Sequence, residues 1–262
     1  MINVESAHPP GWLAIPTGVT PRFLEFWDCF VRLHIPQAKG TGYTRASGPS
    51  NAQNRNNAVR NMLGQANPQW ISFWDDDHDF DAGYLIRQLD ILYSDPTIDA
   101  VASSYARKYP PFAPVMFKTL FPDPMVKLKW SDVEQFIAGN PGKLMPIVGV
   151  GAGGLLVRRQ VFEKLEQDRP LDQRAWFESG PQRQWGGDLG LCMKMRDAGM
   201  KIVLDPLQTL GHLIPVTIMP KIADGKVHLH FQFGTGGGFQ VAAEHFAKLE
   251  ETPVKEDTGH QQ

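Results

Sequence analysis

The sequence is poor in cysteine and carries almost no surplus charge. Cys29 and Cys192 are the only two cysteines among its 262 residues. This content favours buried thiols in a reducing compartment over a disulfide framework. The 26 basic and 28 acidic residues give a net charge of -2, so the chain lacks the overall basic character that non-specific nucleic-acid binding requires.

The sequence also lacks long apolar segments. No apolar run approaches the roughly 20 residues that span a bilayer, and the N-terminus has no charged segment followed by an apolar one. We therefore expect no membrane anchor and a cytoplasmic location. The 42% of hydrophobic residues is enough to bury a sizeable core. Residues 249–262 are polar and are expected to form a disordered tail.

Strand-like and helix-like segments alternate along the first 105 residues. In order, the predicted elements are a strand at 12–17, a helix starting at Thr20 and Pro21, a glycine-rich connection at 39–49, a helix capped by Ser50, a strand at 70–74, a helix carrying Leu85, Leu89 and Leu92, and a strand at 98–104. This alternation predicts an α/β fold with a mostly parallel sheet and helices on both faces. From residue 109 the chain is richer in proline and glycine, so we predict a nucleotide-binding half before that point and a substrate-binding half after it.

The acidic run that follows the strand at 70–74 is the first functional signal. Asp75, Asp76 and Asp77 are consecutive, and Asp79 follows closely. Neighbouring carboxylates repel one another unless a cation neutralises them, and ligands of α/β sheets bind at the carboxyl ends of strands. Asp75 and Asp77 therefore predict a Mg²⁺ or Mn²⁺ ion that carries a diphosphate. The alternative, a solvated turn in which Asp79 or Asp81 caps the next helix, explains fewer of the carboxylates.

Four segments together resemble the GT-A class of glycosyltransferases, roughly from Ile15 to His212. FWDDD (73–77) resembles the DxD motif, and LGH (210–212) resembles the late Gly-His whose imidazole binds metal in several of these families. WGGDLGLCMKMRDAG (185–199) is similar to the xED helix of family 2 and to the WGGE segment of polypeptide N-acetylgalactosaminyltransferases and β-1,4-galactosyltransferases. NRNNAV (54–59) is similar to the ARNxA helix of family 2.

The resemblance implies a metal-dependent transfer of a sugar from a nucleotide sugar, a UDP-sugar above all, to an acceptor hydroxyl. It implies a GT-A fold, a Rossmann-like mixed sheet flanked by helices, with residues 1–108 binding the nucleotide sugar and residues 109–248 forming the acceptor-binding and catalytic half. Asp188 would be the general base, and Asp77 and His212 would hold Mn²⁺ or Mg²⁺, with Asp75 as a further candidate ligand. The other implied donor-binding residues are Thr17, Arg55, Asp75, Asp76, Arg107, Gly153 and Gly154, and those on the acceptor side are Trp185, Gly186 and Gly187.

Simpler explanations exist for several of these residues. Asp188 could be a helix cap, Arg55 a surface residue of its helix, and Trp185 a core side chain. Gly187 departs from the xED motif, in which glutamate precedes the position of Asp188. Aligned with xED, Asp188 is the base of an inverting reaction; aligned with WGGE, it replaces a glutamate that in some enzymes serves a retaining reaction. We favour inversion.

Two other classes share parts of the pattern. A sugar-nucleotide nucleotidylyltransferase has the same sheet and metal, but its glycine-rich signature should follow the first strand directly, whereas GTGYTR (40–45) follows a helix. A non-catalytic sugar-binding or nucleotide-binding relative is expected to lose some of Asp75, Asp77, Asp188 and His212, and all four are present. The acceptor could be a carbohydrate, a protein or, by resemblance to compact bacteriophage GT-A proteins, a hydroxymethylated base of phage DNA.

Overall fold

The computed structural model describes residues 1–17, 23–181, 184–223, 226–233 and 238–242. They fall into two compact units, one formed by residues 1–107 and 113–213, the other by residues 108–112 and the described residues from Ile214 onward. The predicted helix start at Thr20 and Pro21 and the predicted tail at 249–262 lie outside the described residues. The division into functional halves near residue 108 stays a prediction.

The described α-helices belong to the first unit. They are α1 (Leu24–Arg32), α2 (Asn51–Leu63), α3 (Tyr84–Ser94), α4 (Trp130–Gly139), α5 (Arg159–Leu165) and α6 (Gly187–Asp197). The predicted cap at Ser50 is confirmed, since its side chain accepts a hydrogen bond from the Gln53 N–H at 3.2 Å. Among the described helices, none combines the length and the apolar character that crossing a membrane requires.

The described strands are mostly short. They are β1 (Ile2–Val4), β2 (Trp12–Thr17), β3 (His34–Pro36), β4 (Gly42–Ser47), β5 (Trp70–Phe73), β6 (His78–Asp79), β7 (Ala100–Ser104), β8 (Met116–Thr119), β9 (Val126–Lys127), β10 (Met145–Ile147), β11 (Gly149–Val150), β12 (Leu155–Arg158), β13 (Ile202–Thr209), β14 (Gly211–His212), β15 (Val216–Ala223), β16 (Lys226–Phe233) and β17 (Gly238–Ala242). The predicted strands at 12–17, 70–74 and 98–104 correspond to β2, β5 and β7 and are confirmed.

Seven strands form the main sheet, in the order β10-β13-β7-β12-β5-β2-β4. The pairs β13–β7, β5–β2 and β2–β4 are parallel, and the three pairs that involve β10 or β12 are antiparallel. The predicted α/β class, with a mixed sheet flanked by helices, is therefore confirmed, but the expectation of a mostly parallel sheet is wrong. Strand β12 runs opposite to its neighbours because the chain enters it at the carboxyl end of β5, where Leu155 pairs with Phe73.

Helices cover both faces of this sheet. One face packs on α2, α5 and α6, where Met62, Phe162 and Leu191 are fully buried. The other face packs on α1 and α3, where Phe26 and Leu89 are fully buried. Because the alternating side chains of each strand serve both layers, the carboxyl edge of the sheet is held rigidly from two sides.

Both cysteines are free and buried, as predicted. The Cys29 thiol lies 2.9 Å from Asp79 Oδ1, to which it donates. Burial raises the pKa of the Cys192 thiol to about 12, so this thiol stays protonated and behaves as a small core residue.

The glycine-rich segment 39–49 is more ordered than the sequence predicts. Residues Gly42–Ser47 form β4, which pairs in parallel with β2 at the edge of the main sheet. Gly42 faces the Trp12 ring so closely that a Cβ there would lie 2.4 Å from a ring carbon. The predicted connection is wrong for these residues because they form a strand. Close approach to the Trp12 ring explains the glycine at position 42.

The second unit contains an antiparallel sheet in which β16 lies between β15 and β17. Alternate residues of β15 are apolar and exposed to solvent, with Ile218 and Ile222 exposed by 55% and 81%.

Candidate active site

Five segments of the first unit reach the carboxyl edge of the main sheet. They are Thr17 at the end of β2, the acidic turn 75–77 after β5, residues 105 and 106 after β7, the loop 151–154 before β12, and Gly211-His212 after β13. The sheet order places β2, β5, β12, β7 and β13 side by side, so these segments are neighbours in space. This is the position at which α/β sheets bind their ligands.

Two histidines and an aspartate lie together at this edge. Strand β14 pairs with β6, and the register sets His212 opposite His78, with ring centroids 4.9 Å apart. One ligand atom from each of Asp77, His78 and His212 lies within 4.8 Å of the others. His78 is 1% exposed, and the side chains of Asp77 and His212 are each 13% exposed.

A backbone carbonyl orients the imidazole of His212. Its Nδ1 lies 2.8 Å from the Ala106 oxygen, and because a carbonyl only accepts hydrogen bonds, Nδ1 carries the hydrogen. This leaves Nε2 facing the cluster, 3.7 Å from Asp77 Oδ1. Metal-binding histidines are commonly held in this way, and a carboxylate with two imidazoles is a donor set suited to a divalent transition metal. The residues present therefore fit a divalent metal ion.

The cluster agrees only in part with the ligands that the sequence predicts. Asp77 and His212 belong to it, and Asp75 is not one of its three residues. Asp75 is instead bound to a guanidinium, since its Oδ1 accepts a hydrogen bond from Arg55 at 2.6 Å. The role of Asp75 as a metal ligand stays a prediction, as does its binding to a nucleotide-sugar donor.

Arg55 lies between two carboxylates. One terminal nitrogen donates to Asp75, and the other donates to Asp188 on α6, 133 residues away in sequence. The Arg55 side chain is 3% exposed, so the alternative that it is a surface residue of its helix is wrong. Burial opposes the charge of Arg55, but Asp188 and Asp75 outweigh burial and raise the pKa of the guanidinium above its usual value. A contact between Arg55 and a nucleotide-sugar donor stays a prediction.

Both oxygens of Asp188 are engaged. Oδ1 accepts from Arg55, and Oδ2 accepts from the backbone N–H of Ala152 at 3.1 Å. The side chain is still 27% exposed. Burial raises the pKa of Asp188, the Arg55 charge opposes this shift, and Asp75 adds to it. A carboxylate with a raised pKa is a stronger base, and each of its oxygens keeps a second lone pair for a further donor.

The glycines of the loop 151–154 are required by close packing. A Cβ on Gly153 would lie 2.1 Å from His78 Cε1 and 3.2 Å from Asp75 Oδ2. Gly154 has a φ of +68°, and a Cβ there would lie 2.4 Å from Leu210 Cδ1. Glycine at 153 and 154 lets the loop backbone approach the side chains of the site itself. Approach to a donor sugar stays a prediction.

Three other predicted donor-binding residues differ in exposure. Thr17 is 1% exposed, and its hydroxyl donates to the Ala46 oxygen at 3.3 Å. Asp76 is buried at 5% exposure, whereas Arg107 is exposed and its backbone N–H donates to the Ala113 oxygen at 2.9 Å. Their contacts with a donor stay predictions.

The packing at the start of α6 explains the departure from the xED motif. Gly187 is buried, and a Cβ there would lie 2.8 Å from the Cβ of Ala52 on α2. There is no room for the glutamate of the xED motif at this position. Gly186, the N-cap, is exposed and has no atom within 4 Å of an added Cβ, and the Trp185 ring stacks on Phe121 with centroids 5.1 Å apart. A role of Trp185 and Gly186 in acceptor binding stays a prediction.

Two residues of the site were not anticipated from the sequence. His78 directly follows the acidic run, but its meeting with His212 depends on a two-residue strand pair that no local pattern reveals. Tyr105, at 6% exposure, packs edge-on against His78 with ring centroids 4.9 Å apart. Burial raises the pKa of Tyr105 well above its usual value, with Asp75 and Asp188 adding to the shift, so its hydroxyl stays protonated.

No family model matches the sequence, and no curated protein matches it. Among solved structures, the chain is similar to A197 from STIV, with 12% identity, a TM-score of 0.46 and coverage of 89% of this chain and 93% of that chain. It is also similar to GalNAc-T7, solved with UDP, GalNAc and Mn²⁺, with 10% identity, a TM-score of 0.47 and coverage of 83% of this chain and 44% of that chain. Likeness at this level concerns the fold alone, and function resides in the residues of a site.

The packing of Gly187 against Ala52 can be tested by substitution. We expect Gly187→Ala to lower the free energy of unfolding by about 1–3 kcal/mol, because the added methyl overpacks the contact between α2 and α6. The measurement is urea denaturation followed by circular dichroism. Gly186→Ala is the matched control and should cost less than about 1 kcal/mol. Adding Ala52→Gly to Gly187→Ala should recover part of the loss, and equal stability of Gly187→Ala and the wild type would contradict the contact.

Proposed function

We propose that this protein is a metal-dependent glycosyltransferase of the GT-A type, which moves a sugar from a nucleotide sugar to an acceptor hydroxyl. The observation that carries the proposal is the cluster of Asp77, His78 and His212 at the carboxyl edge of the sheet, next to the bridged pair Asp75 and Asp188. The cluster offers ligands for a divalent metal, and the bridged pair offers a base within the same edge.

The donor set of the cluster favours Mn²⁺ over Mg²⁺. Mg²⁺ prefers oxygen ligands and water, whereas imidazole suits transition metals. Asp77, His78 and His212 would hold the ion, which when bound neutralises the negative charge of a departing nucleoside diphosphate. A UDP-sugar is the donor that we propose, on the sequence resemblance of FWDDD and NRNNAV to the nucleotide-binding motifs of this class.

Asp188 is the proposed general base. The acceptor hydroxyl donates a hydrogen bond to a free lone pair of the Asp188 carboxylate, and its oxygen attacks the anomeric carbon of the donor sugar. The bond from that carbon to the diphosphate oxygen breaks with its electron pair leaving on the nucleotide, and the hydroxyl proton passes to Asp188. Attack opposite to the leaving group inverts the anomeric centre. The partial exposure of Asp188 and its raised pKa both suit this role.

The nucleotidylyltransferase alternative loses its one motif. In the structure, residues of GTGYTR form the edge strand β4 instead of a loop that could surround a triphosphate. Tyr43 and Arg45 are exposed there, on the alternate positions of the strand.

The acceptors that we propose are carbohydrates, proteins and hydroxymethylated DNA bases, all of which present a hydroxyl to Asp188.

A thermal-shift panel tests the donor and the metal together. The panel contains UDP, GDP, dTDP and the corresponding sugar nucleotides, each with Mn²⁺ or with EDTA. We expect uridine nucleotides with Mn²⁺ to raise the melting temperature, since a ligand at 100 times its Kd stabilises the folded state by about 2.7 kcal/mol. EDTA should remove the shift.

Matched variants connect that shift to the cluster. His78→Gln, which keeps most of the buried volume, should lose the Mn²⁺-dependent shift because one of three proposed ligands is gone. His8→Ala removes an imidazole that pairs with Asp90 at 2.8 Å, outside the site, and should leave the shift intact. A full shift in His78→Gln, or none in the wild type with any nucleotide, would contradict the metal-diphosphate proposal.

The base is tested by the kinetics of Asp188→Asn. We expect kcat for turnover of the donor to fall by about 10²–10⁴-fold in this variant, while KM for the donor changes little. Water serves as the acceptor if no better one is found. Asp197→Asn, at the other end of α6 and mostly exposed, is the control and should leave kcat unchanged. An unchanged kcat in Asp188→Asn would assign the base to another residue.

A further inference from the structure

The guanidinium of Arg55 is buried, whereas the two carboxylates that it binds are partly exposed. Arg55 is 3% exposed, while the side chains of Asp75 and Asp188 are each 27% exposed. Together, the guanidinium and the two carboxylates carry a net charge of -1, and the negative charges are the ones nearer to solvent. The carboxylates therefore face outward at the site, and the cation that holds them does not.

We propose that Arg55 is a positioning residue that fixes the Asp188 carboxylate and couples it to Asp75, which deepens the function proposed above and rests on it. A planar guanidinium binds two carboxylates through nitrogens of fixed relative position, so displacement of one carboxylate is transmitted to the other. Asp75 lies between β5 and the cluster of Asp77, His78 and His212, and Asp188, the proposed base, lies in the first turn of α6. Arg55 thus connects the donor side of the site with the acceptor side.

Helix α2 is itself fixed to the chain that precedes α6. The Asn56 side chain accepts hydrogen bonds from the N–H groups of Trp176 and Phe177, both at 2.9 Å, and donates to the Phe177 oxygen at 2.9 Å. The Phe177 ring lies 5.9 Å from the Arg55 guanidinium carbon. The guanidinium is therefore held by the packing around it as well as by its two ion pairs.

The ion pairs also determine the position of a backbone loop. Asp188 Oδ2 accepts from the N–H of Ala152, a residue that is fully buried. If Arg55 holds Asp188, the hydrogen bond of the Ala152 N–H depends on Arg55 through Asp188, which accepts from both residues. A purely structural role of Arg55 explains the two ion pairs less well than positioning does, because a buried ion pair often contributes no net stability compared with apolar residues.

Hydrogen exchange at Ala152 tests the positioning without any assay of activity. The full-length protein is compared with Arg55→Gln, Arg55→Lys and the control Arg60→Gln. Arg60 lies on the same helix, and its guanidinium donates to the Arg174 oxygen at 2.6 Å. Opening of the Ala152 hydrogen bond should accelerate its exchange at least about tenfold in Arg55→Gln and in Arg55→Lys, which lacks the planar fork. Arg60→Gln should not change it.

Unchanged exchange at Ala152 in both Arg55 variants overturns the proposal. If Arg55→Gln proves too unstable to assay, Arg55→Lys keeps the positive charge and decides the question alone. The result holds whether or not the protein transfers a sugar, so failure of the proposed function would be recognised separately, by the absence of nucleotide binding and turnover in the wild type.

A double-mutant cycle tests whether Arg55 acts through Asp188. Arg55→Gln should lower kcat by roughly 10²-fold in the wild-type background, because a small misplacement of a reacting group is costly. In the Asp188→Asn background the same change should lower kcat by less than about threefold, since the group that it positions is already lost. A full additional loss in the double variant would overturn the positioning role, because a general loss of structure adds to the effect of Asp188→Asn.

Discussion

The bridge from Arg55 to Asp75 and Asp188 is the interaction on which the rest of the site depends. Three elements that are distant in sequence, helix α2, the acidic turn after β5 and the start of α6, meet at one guanidinium. Two carboxylates this close to each other would repel and favour protonation without a cation between them. Arg55 supplies that cation from a buried position, while both carboxylates stay partly exposed.

A second constraint comes from two very short strands. The pairing of β6 with β14 sets His78 against His212, and the Ala106 carbonyl selects the nitrogen of His212 that faces Asp77. The loop 151–154 completes this arrangement, because only glycine at position 153 allows the backbone to pass so close to His78 and Asp75. The cluster of Asp77, His78 and His212, the loop and the bridge therefore pack against one another, and we expect a change in any one of them to displace the others.

The sequence predicted the local features well because they depend on neighbouring residues. The buried strand before the acidic turn, the cap at Ser50 and the α/β class all follow from periodicity and turn chemistry. The reversed direction of β12 was not predictable in this way, since it depends on which strands pair. The same holds for the contact of Arg55 with Asp188 and the meeting of His78 with His212, each made by residues more than 100 positions apart.

The most direct test of the proposed metal site is anomalous diffraction at the manganese edge from crystals of the protein grown with Mn²⁺ and UDP. We expect a manganese peak bonded to the Asp77 carboxylate and to the imidazoles of His78 and His212, with the diphosphate on the same ion. Bound UDP with no manganese at these three residues, or manganese held by other side chains, would contradict it.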